Sequence, residues 1–232
     1  MKKRPSSGIW PESAWSILLR QAIRILDSAP ATHWTFGGGS AMALRFGHRI
    51  SYDVDIFLHD AQILGYLSPR LNDLSGSLAD SYTEAANGIK ITTGRGDIDF
   101  VVAADVTRDE PVLAPVPGMA LNILVQSPAE ILAKKLQYRG FKFTHRDIFD
   151  LAMLLENDPA SVDGAVKACS AVEVDKAVGI MRSRLGRLAI EVPDYVNPTP
   201  AFEPLGGRLD EVIGAFVSRF SPLTKPQGRG QL

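Results

Sequence analysis

The chain has 232 residues, 45% of them hydrophobic, which suits one globular domain or two small ones with an ample apolar core. Its net charge of −1 excludes a generally basic nucleic-acid coat, so contact with nucleic acid would need a local basic patch. The single cysteine, Cys169, excludes an internal disulfide, and no apolar run is long enough for a signal peptide or a membrane span. We therefore expect a cytoplasmic protein in a reducing setting, without membrane contact.

The first half of the chain predicts alternating helices and strands. Apolar residues at helical spacing predict a helix over 13–30, and the sequence HWTF predicts a short strand that the following glycines end. Residues 40–46 then predict a short helix, and residues 52–58 predict a second strand. Residues 88–103 divide into two alternating arms around Gly94-Arg95-Gly96, which is typical of a β-hairpin. Residues 120–126 predict one more strand.

The pattern changes from strand-like to helical at residue 127. Helical spacing continues over 127–140, 144–156, 160–170, 172–190 and 208–220, with a proline-rich connection at 191–204. We therefore expect an α/β (α+β) fold with a small mixed β-sheet core and flanking helices over residues 1–126. A C-terminal helical bundle is expected over 127–222, and residues 223–232 are expected to be a disordered tail.

Two aspartates occupy the middle of a predicted strand, in the sequence YDVDIFL. Alternation places Asp53 and Asp55 on one face of this strand and the apolar Val54, Ile56 and Leu58 on the other. Two such close carboxylates repel each other unless a cation neutralises them, and hard divalent cations prefer oxygen ligands. The alternative is that both aspartates are solvated on an exposed sheet face.

A second acidic strand, DIDFVVA, repeats this pattern. Asp97 lies next to the predicted turn and is expected to be solvent-exposed, whereas Asp99 lies inside the strand. Asp99 is therefore the better candidate for a third carboxylate, although Asp97 stays open as an alternative. If the two strands are neighbours, three carboxylates converge, and this arrangement can hold one or two Mg²⁺ ions and deprotonate an attacking hydroxyl.

The glycine-rich sequence GGGS precedes the first acidic strand. A turn of this kind that ends in Ser40 at the start of a helix presents free backbone N–H groups, which is an arrangement that binds phosphate. The motif is neither a P-loop nor the spaced-glycine dinucleotide fingerprint. A simple tight turn is the alternative, and the acidic strand that follows one short helix later argues against it.

Two separated motifs together resemble a known family. GGGSAMALRFGHRISYDVDIFL and EILAKKLQYRGFKFTHRDIFDLAMLL are similar to sequences of the AbiEii/AbiGii toxin family, within the DNA polymerase β-like nucleotidyltransferase superfamily. The resemblance covers roughly residues 34 to 156. It implies a metal-dependent enzyme that transfers a nucleoside monophosphate from an NTP to an acceptor hydroxyl, with Mg²⁺ or Mn²⁺ as cofactor. It also implies a toxin with a cognate antitoxin and with RNA, in particular tRNA, as an acceptor.

The resemblance also implies roles for particular residues. Metal binding is implied for Asp53 and Asp55, with Asp99 as the third carboxylate and least certain in alignment because Asp97 is adjacent. Nucleotide binding is implied for a larger set, comprising Gly38, Gly39, Ser40, Arg49, Ser51, Lys135, Arg139, Asp147 and Asp150. Lys135 is also expected to take part in catalysis.

Helical periodicity supplies an independent view of the second motif. It places Lys135 and Arg139 on one inward face with apolar neighbours, whereas Lys134 is predicted to be solvated on the opposite face. Asp147 aligns with the apolar stripe of the next helix, and Asp150 lies at the edge of that stripe. Inward charges are unusual unless they are paired or functional. A structural ion pair of Lys135 or Arg139 with Asp147 is therefore the alternative to a contact with nucleotide phosphates.

The most favoured function is nucleotidyl transfer, with an active cleft between the two halves of the chain. A catalytically silent nucleotide-binding or partner-binding module of the same fold is one alternative. The other is an adenylyltransferase that acts on a small molecule such as an antibiotic. The intact Asp53/Asp55 pair argues against the silent module, and the sequence THRDIFDL favours the toxin-like family over the small-molecule enzyme.

Overall fold

One mixed β-sheet of seven strands dominates the first half of the computed structural model, which describes residues 14–220. The strands are, in chain order, β1 (Trp34–Gly37), β2 (Val54–Leu58), β3 (Ser81–Ala85), β4 (Gly88–Thr93), β5 (Gly96–Val102), β6 (Val112–Pro115) and β7 (Asn122–Val125). Their order across the sheet is β3-β4-β5-β2-β1-β7-β6. The pairs β2/β5 and β1/β7 are parallel, and the other neighbouring pairs are antiparallel.

Helices precede, interrupt and follow this sheet. They are α1 (Ala14–Asp27), α2 (Gly38–Phe46), α3 (Leu64–Leu67), α4 (Asp73–Leu78), α5 (Pro128–Arg139), α6 (His145–Asn157), α7 (Pro159–Ala168), α8 (Ala171–Arg184), α9 (Leu188–Glu191), α10 (Glu203–Gly207) and α11 (Leu209–Phe220). Short 3₁₀ turns span Ala61–Ile63, Gly140–Lys142, Val192–Asp194 and Pro200–Phe202.

The described residues form two units. One, the sheet unit, comprises the described residues up to Asp105 together with Asp109–Ser127. The other, the helical unit, comprises Val106–Arg108 and the described residues from Pro128 onward.

The core of the sheet unit forms where α1 covers one face of the sheet. The apolar stripe of α1, including Leu18 and Leu19, is fully buried, and Trp15 stacks on Phe36 of β1 with ring centroids 5.8 Å apart. Burial alternates strictly along β2, since Val54, Ile56 and Leu58 are buried and the residues between them are only partly so. This alternation is what the pleat of a half-buried strand requires, and it leaves the opposite face for polar side chains.

The core of the helical unit is centred on α5 and α6. Both helices bury most of their length, and the core residues of α6 include the fully buried Phe149, Leu151 and Leu154. α7 and α8 pack on α5, while α11 packs on α6 and α8. Among residues 14–220, no helix is long and apolar enough to cross a membrane.

The predicted mixed α/β fold is confirmed, with several local differences. β3 and β6 were not predicted, because every residue of β3 is exposed and β6 ends at a proline, so neither shows apolar alternation. The helix predicted over 172–190 ends instead at Arg184, because Leu185 leaves the helical conformation with a ψ of 142°, and Gly186 follows with the left-handed φ of 84°. The predicted tail, 223–232, lies outside the described residues.

Candidate active site

The two acidic strands are direct neighbours in the sheet unit. This is the arrangement under which their carboxylates were expected to converge. β2 pairs with β5 in parallel register, which places Asp55 opposite Asp99. Asp53 immediately precedes β2, and its Oδ1 accepts a hydrogen bond of 3.3 Å from the backbone N–H of Asp97. Asp97 is half-buried here rather than solvent-exposed, because β4 and β2 flank β5 on its two sides. Four aspartates therefore lie close together at this end of the sheet.

Lys90, on β4, is the partner of the second acidic strand. The antiparallel pairing of β4 with β5 places Lys90 opposite Asp99, and its ammonium forms an ion pair with Oδ2 of Asp99. The same ammonium lies 3.6 Å from Oδ2 of Asp97. Partial burial lowers the pKa of Lys90, but the charges of Asp99, Asp97 and Asp55 outweigh this effect and raise it overall. Lys90 therefore carries a positive charge among these carboxylates at neutral pH.

Asp99 has the electrostatic setting of a proton acceptor. Burial raises the pKa of its carboxyl, Lys90 opposes this effect, and the charges of Asp97 and Asp53 add to the increase, so that the net direction is upward. A carboxylate with a raised pKa accepts a proton more readily, and this is the property needed for general base catalysis.

The three glycines between β1 and α2 bring the start of the helix against β2. Gly38 has a φ of 68°, and a Cβ at this position would overlap the carboxylate of Asp55. Only glycine combines this backbone conformation with such a close approach. No side chain caps the N-terminus of α2 at its N-cap residue Gly37. The first backbone N–H groups of α2 and the Asp55 carboxylate are thus parts of one small region.

Buried hydrogen bonds of Ser40 and Ser51 stabilise this region. Ser40 is fully buried, and its Oγ lies 2.7 Å from Oγ of Ser51 and also contacts the backbone carbonyl of Asp53. The carbonyl can only accept, so the single hydroxyl hydrogen of Ser40 goes to Asp53 and Ser51 donates to Ser40. The Ser40 hydroxyl therefore ties the first turn of α2 to the residue that enters β2.

Arg49 places its guanidinium beside the same helix start. The side chain is buried, and a Cβ on Gly39 would overlap its Nη2. Nη1 donates a 3.3 Å hydrogen bond to the carbonyl of Ile50. The geometry thus brings Gly38, Gly39, Ser40, Arg49 and Ser51 together with the two aspartates of the first acidic motif, as one continuous cluster of the sheet unit.

The carboxylates suit a magnesium ion that also needs ligands from a substrate. Among residues 14–220, no group of three or more His, Cys, Asp or Glu side chains is arranged to hold a metal ion. Mg²⁺ is commonly held by one or two carboxylates together with substrate phosphates. Asp53 and Asp55 supply such a pair of hard oxygen donors, and the missing side chain of Gly38 makes room for the Asp55 carboxylate itself.

In the helical unit, Lys135 forms a buried ion-pair cluster with two aspartates. Its Nζ lies 3.0 Å from Oδ1 of Asp147 and contacts Oδ2 of Asp150, and all three side chains are almost completely buried. Asp147 is also the third residue of a capping box, in which its Oδ2 accepts hydrogen bonds from N and Oγ1 of Thr144. The structure thus contains the predicted ion pair between the two helices, and phosphate binding by Lys135 stays a prediction.

The inward orientation predicted for Arg139 is wrong. Arg139 is exposed, because it is the last residue of α5 and its φ of −124° and ψ of 6° leave the helical path before the 3₁₀ turn. Its charge nevertheless acts on Asp147. Burial raises the pKa of that carboxyl, but the charge of Lys135, the Thr144 hydrogen bonds and the charge of Arg139 together lower it by more. The pKa of Asp147 is therefore below its ordinary value.

The solvated position predicted for Lys134 is also wrong. Lys134 is buried and forms a 3.0 Å ion pair with Glu130, which is buried as well. The carboxylate of Glu130 accepts hydrogen bonds from the backbone N–H groups of Val106 and Thr107. Periodicity fails here because α5 has no solvent face between Pro128 and Leu136, so the face opposite the apolar stripe is covered too.

Lys90 is the residue that the sequence interpretation missed. The signal was present, since the turn Gly94-Arg95 fixes the register of the hairpin, with Thr93 opposite Gly96. Counting outward from that pair brings Lys90 opposite Asp99. Period-2 alternation within each strand does not reveal this pair, whereas the register across the hairpin does.

Comparisons with solved structures return nucleotidyltransferases at low similarity. A protein described as a nucleotidyltransferase from H. pylori has a TM-score of 0.45 and 14% identity, with 94% of this chain and 100% of that chain covered. The nucleotidyltransferase toxin MenT4 from Mycobacterium tuberculosis H37Rv has a TM-score of 0.42 and 13% identity, with 91% and 89% covered. The antibiotic-resistance factor ANT(2'')-Ia has a TM-score of 0.42 and 17% identity, with 75% and 94% covered. No curated protein matches the chain at a significant level.

The family comparison is the decisive one. The model of the family described as "Nucleotidyl transferase AbiEii toxin, Type IV TA system" matches residues 21–214, which is most of the chain. The protein is therefore a nucleotidyltransferase, an enzyme that uses an NTP as its substrate. It belongs to the AbiEii family of toxins of type IV toxin–antitoxin systems, as the two sequence motifs indicated.

Proposed function

We propose that the protein is a metal-dependent toxin that transfers a nucleoside monophosphate from an NTP to a hydroxyl group of RNA. The observation that carries this proposal is the position of Asp55, which lies between the backbone of Gly38 and the neighbouring strand with Asp99. A phosphate-binding helix start and an acidic strand thus meet at one point. RNA, in particular tRNA, is the acceptor that the resemblance of the two sequence motifs implies, and membership of a toxin–antitoxin family supports a cognate antitoxin as a partner.

The residues have distinct roles in this proposal. Gly38, Gly39 and Ser40 supply backbone N–H groups to the phosphates at the start of α2, and the buried Arg49 adds positive charge beside them. Ser51 holds Ser40 in place through their 2.7 Å contact. Fixed donors of this kind stabilise the charge that develops on a transferring phosphoryl group.

Asp53 and Asp55 hold Mg²⁺ or Mn²⁺. This ion, when bound, neutralises phosphate charge and polarises the phosphorus–oxygen bonds. Asp99 accepts the proton of the acceptor hydroxyl, whose oxygen forms a bond to the α-phosphorus. The bond between the α-phosphorus and the bridging oxygen breaks, and pyrophosphate leaves with the electron pair. Most of the rate enhancement comes from positioning and charge neutralisation, as in phosphoryl transfer generally.

The family resemblance implies further nucleotide-binding residues, which belong to the helical unit. In the proposal, Lys135 contacts the phosphates, and Asp147 and Asp150, which pair with it, orient its ammonium. Arg139, exposed at the end of α5, adds a second positive charge.

The test uses NTPs radiolabelled at the α-phosphate, incubated with the protein and Mg²⁺, with and without total RNA. We expect labelled RNA, with the label lost on chelation of the metal by EDTA and in the Asp53→Asn variant. Asp80→Asn is the matched control, because Asp80 is exposed and lies outside the acidic strands. Label on the protein or on a small molecule alone would refute RNA as the acceptor. Nucleotide binding without any labelled product would indicate a silent binding module.

A further inference from the structure

Lys90 occupies a position that the proposed reaction does not yet use. It belongs to β4, outside both sequence motifs of the family, and its ammonium lies at the side of the carboxylate cluster formed by Asp97 and Asp99. The β-hairpin fixes this position, since the two-residue turn Gly94-Arg95 sets the register that pairs Lys90 with Asp99. The ion pair is therefore built into the backbone pairing of two adjacent strands.

The charges of this region divide into two parts. Asp97 and Asp99 face the Lys90 ammonium, whereas the Asp55 carboxylate lies against the backbone of Gly38 and Asp53 accepts from the Asp97 N–H. An ammonium ion that neutralises two carboxylates competes with a divalent ion for them, because both cations need the same oxygen atoms. The charge of Asp55 also acts on Lys90, but the ion pairs of the Lys90 ammonium are with Asp97 and Asp99.

We propose that Lys90 is a positioning residue of the transfer site, which acts as the fixed cation for Asp97 and Asp99 and restricts divalent-ion binding to Asp53 and Asp55. By holding Oδ2 of Asp99, Lys90 also fixes the carboxylate that receives the proton of the acceptor hydroxyl. This inference rests on the proposed function. It explains why a strand without any other functional residue carries a lysine directly opposite the third carboxylate.

The first test measures binding of Mn²⁺ to the nucleotide-free protein, by electron paramagnetic resonance of the free ion. We expect at most one ion in the wild type, bound weakly because the phosphate ligands of a nucleotide are absent. Lys90→Met keeps the length of the side chain and removes its charge, so it should bind a second ion or bind Mn²⁺ at least about tenfold more tightly. Lys90→Arg should behave as the wild type. Lys167→Met is the control, because Lys167 is exposed on α7 of the helical unit.

The second test separates kcat from KM in the transfer of labelled nucleoside monophosphate. Lys90→Met should lower kcat by about 100-fold, since a general base that is displaced by about 1 Å loses reactivity of this order. KM for the NTP should change by less than about threefold, and Lys90→Arg should restore part of kcat. Lys90→Gln, which keeps a hydrogen-bond donor without the charge, replaces Lys90→Met if thermal unfolding shows that Lys90→Met does not fold.

The outcomes distinguish the two proposals. In one outcome, the wild-type protein binds Mn²⁺ and labels RNA while an uncharged Lys90 variant equals it in Mn²⁺ binding and in kcat. This result overturns the role of Lys90 and leaves the proposed function standing. A wild-type protein that binds no Mn²⁺ and transfers no label overturns the proposed function, and the role of Lys90 with it. A variant that loses kcat with unchanged Mn²⁺ binding contradicts the restriction on divalent-ion binding.

Discussion

Gly38→Ala tests whether the close approach of α2 to the acidic strand is needed for activity. A Cβ on Gly38 would lie 2.5 Å from Cγ and 2.9 Å from Cβ of Asp55, whereas ordinary contacts of this kind are 3.4 Å or longer. The Asp55 side chain or the start of α2 must therefore move by about 1 Å. A displacement of this size at a reacting centre lowers the rate by about 100-fold.

Gly47→Ala is the matched control for this variant. Gly47 ends the same helix with a φ of 59°, close to the 68° of Gly38, but a Cβ on it would meet no atom within 4 Å. Both alanines adopt a left-handed conformation at a cost of about 1 kcal/mol. Gly38→Ala adds about 1 kcal/mol more for the displaced Asp55 side chain.

The assay compares urea denaturation with single-turnover transfer from an α-labelled NTP. We expect both variants to remain folded, Gly47→Ala to keep most of its activity, and Gly38→Ala to lose about 100-fold. Equal activity of the two alanine variants would refute the reasoning, because they share the backbone strain and differ in the contact with Asp55.

Three further predictions concern the helical unit. Lys135→Met should lower the free energy of unfolding in urea by about 3–5 kcal/mol, since it leaves two buried carboxylates without their ammonium, and a loss below about 1 kcal/mol would count against a buried ion pair. The pKa of Asp147 is lowered in the folded protein, so this carboxylate stabilises the fold at any pH above the ordinary Asp pKa of about 3.9. That stabilisation is lost as the pH falls through the lower pKa of the folded state. Asp147→Asn should accordingly weaken the loss of stability on acidification below about pH 4, and an unchanged acid-unfolding profile would show that this carboxyl is not responsible. Burial raises the pKa of Cys169 to about 11, so at pH 8 iodoacetamide should modify the native thiol at least about 100-fold more slowly than in urea, whereas equal rates would contradict the burial.

Strand alternation made part of the site predictable from the sequence. On β2, the buried Val54, Ile56 and Leu58 determine one face, so the position of Asp53 and Asp55 on the other follows from the pleat alone. A two-residue turn likewise determined the hairpin of β4 and β5. The pairing of β2 with β5 joins segments that are distant in the sequence. Local patterns do not predict such a pairing, so the convergence of the carboxylates depended on an assumption that the strands are neighbours.

Helical periodicity was less informative in the helical unit. It assumes one buried and one solvated face, and α5 is buried on both, so that Glu130 and Lys134 pair inside the core. The prediction for Arg139 failed for another reason, since the helix ends at that residue and its side chain no longer follows the helical face. Interpretation of a helix from periodicity is therefore most reliable where the helix is amphipathic and far from its ends.

The most direct test of nucleotidyl transfer at the acidic strand compares α-labelled with γ-labelled NTP in the wild type and in Asp55→Asn. We expect that only the α-phosphate label enters the acceptor and that the γ-label appears in pyrophosphate. Asp55→Asn should transfer neither label, while its circular dichroism spectrum is unchanged. Label from the γ-phosphate in the acceptor, or undiminished α-label with Asp55→Asn, would contradict nucleotidyl transfer at this strand.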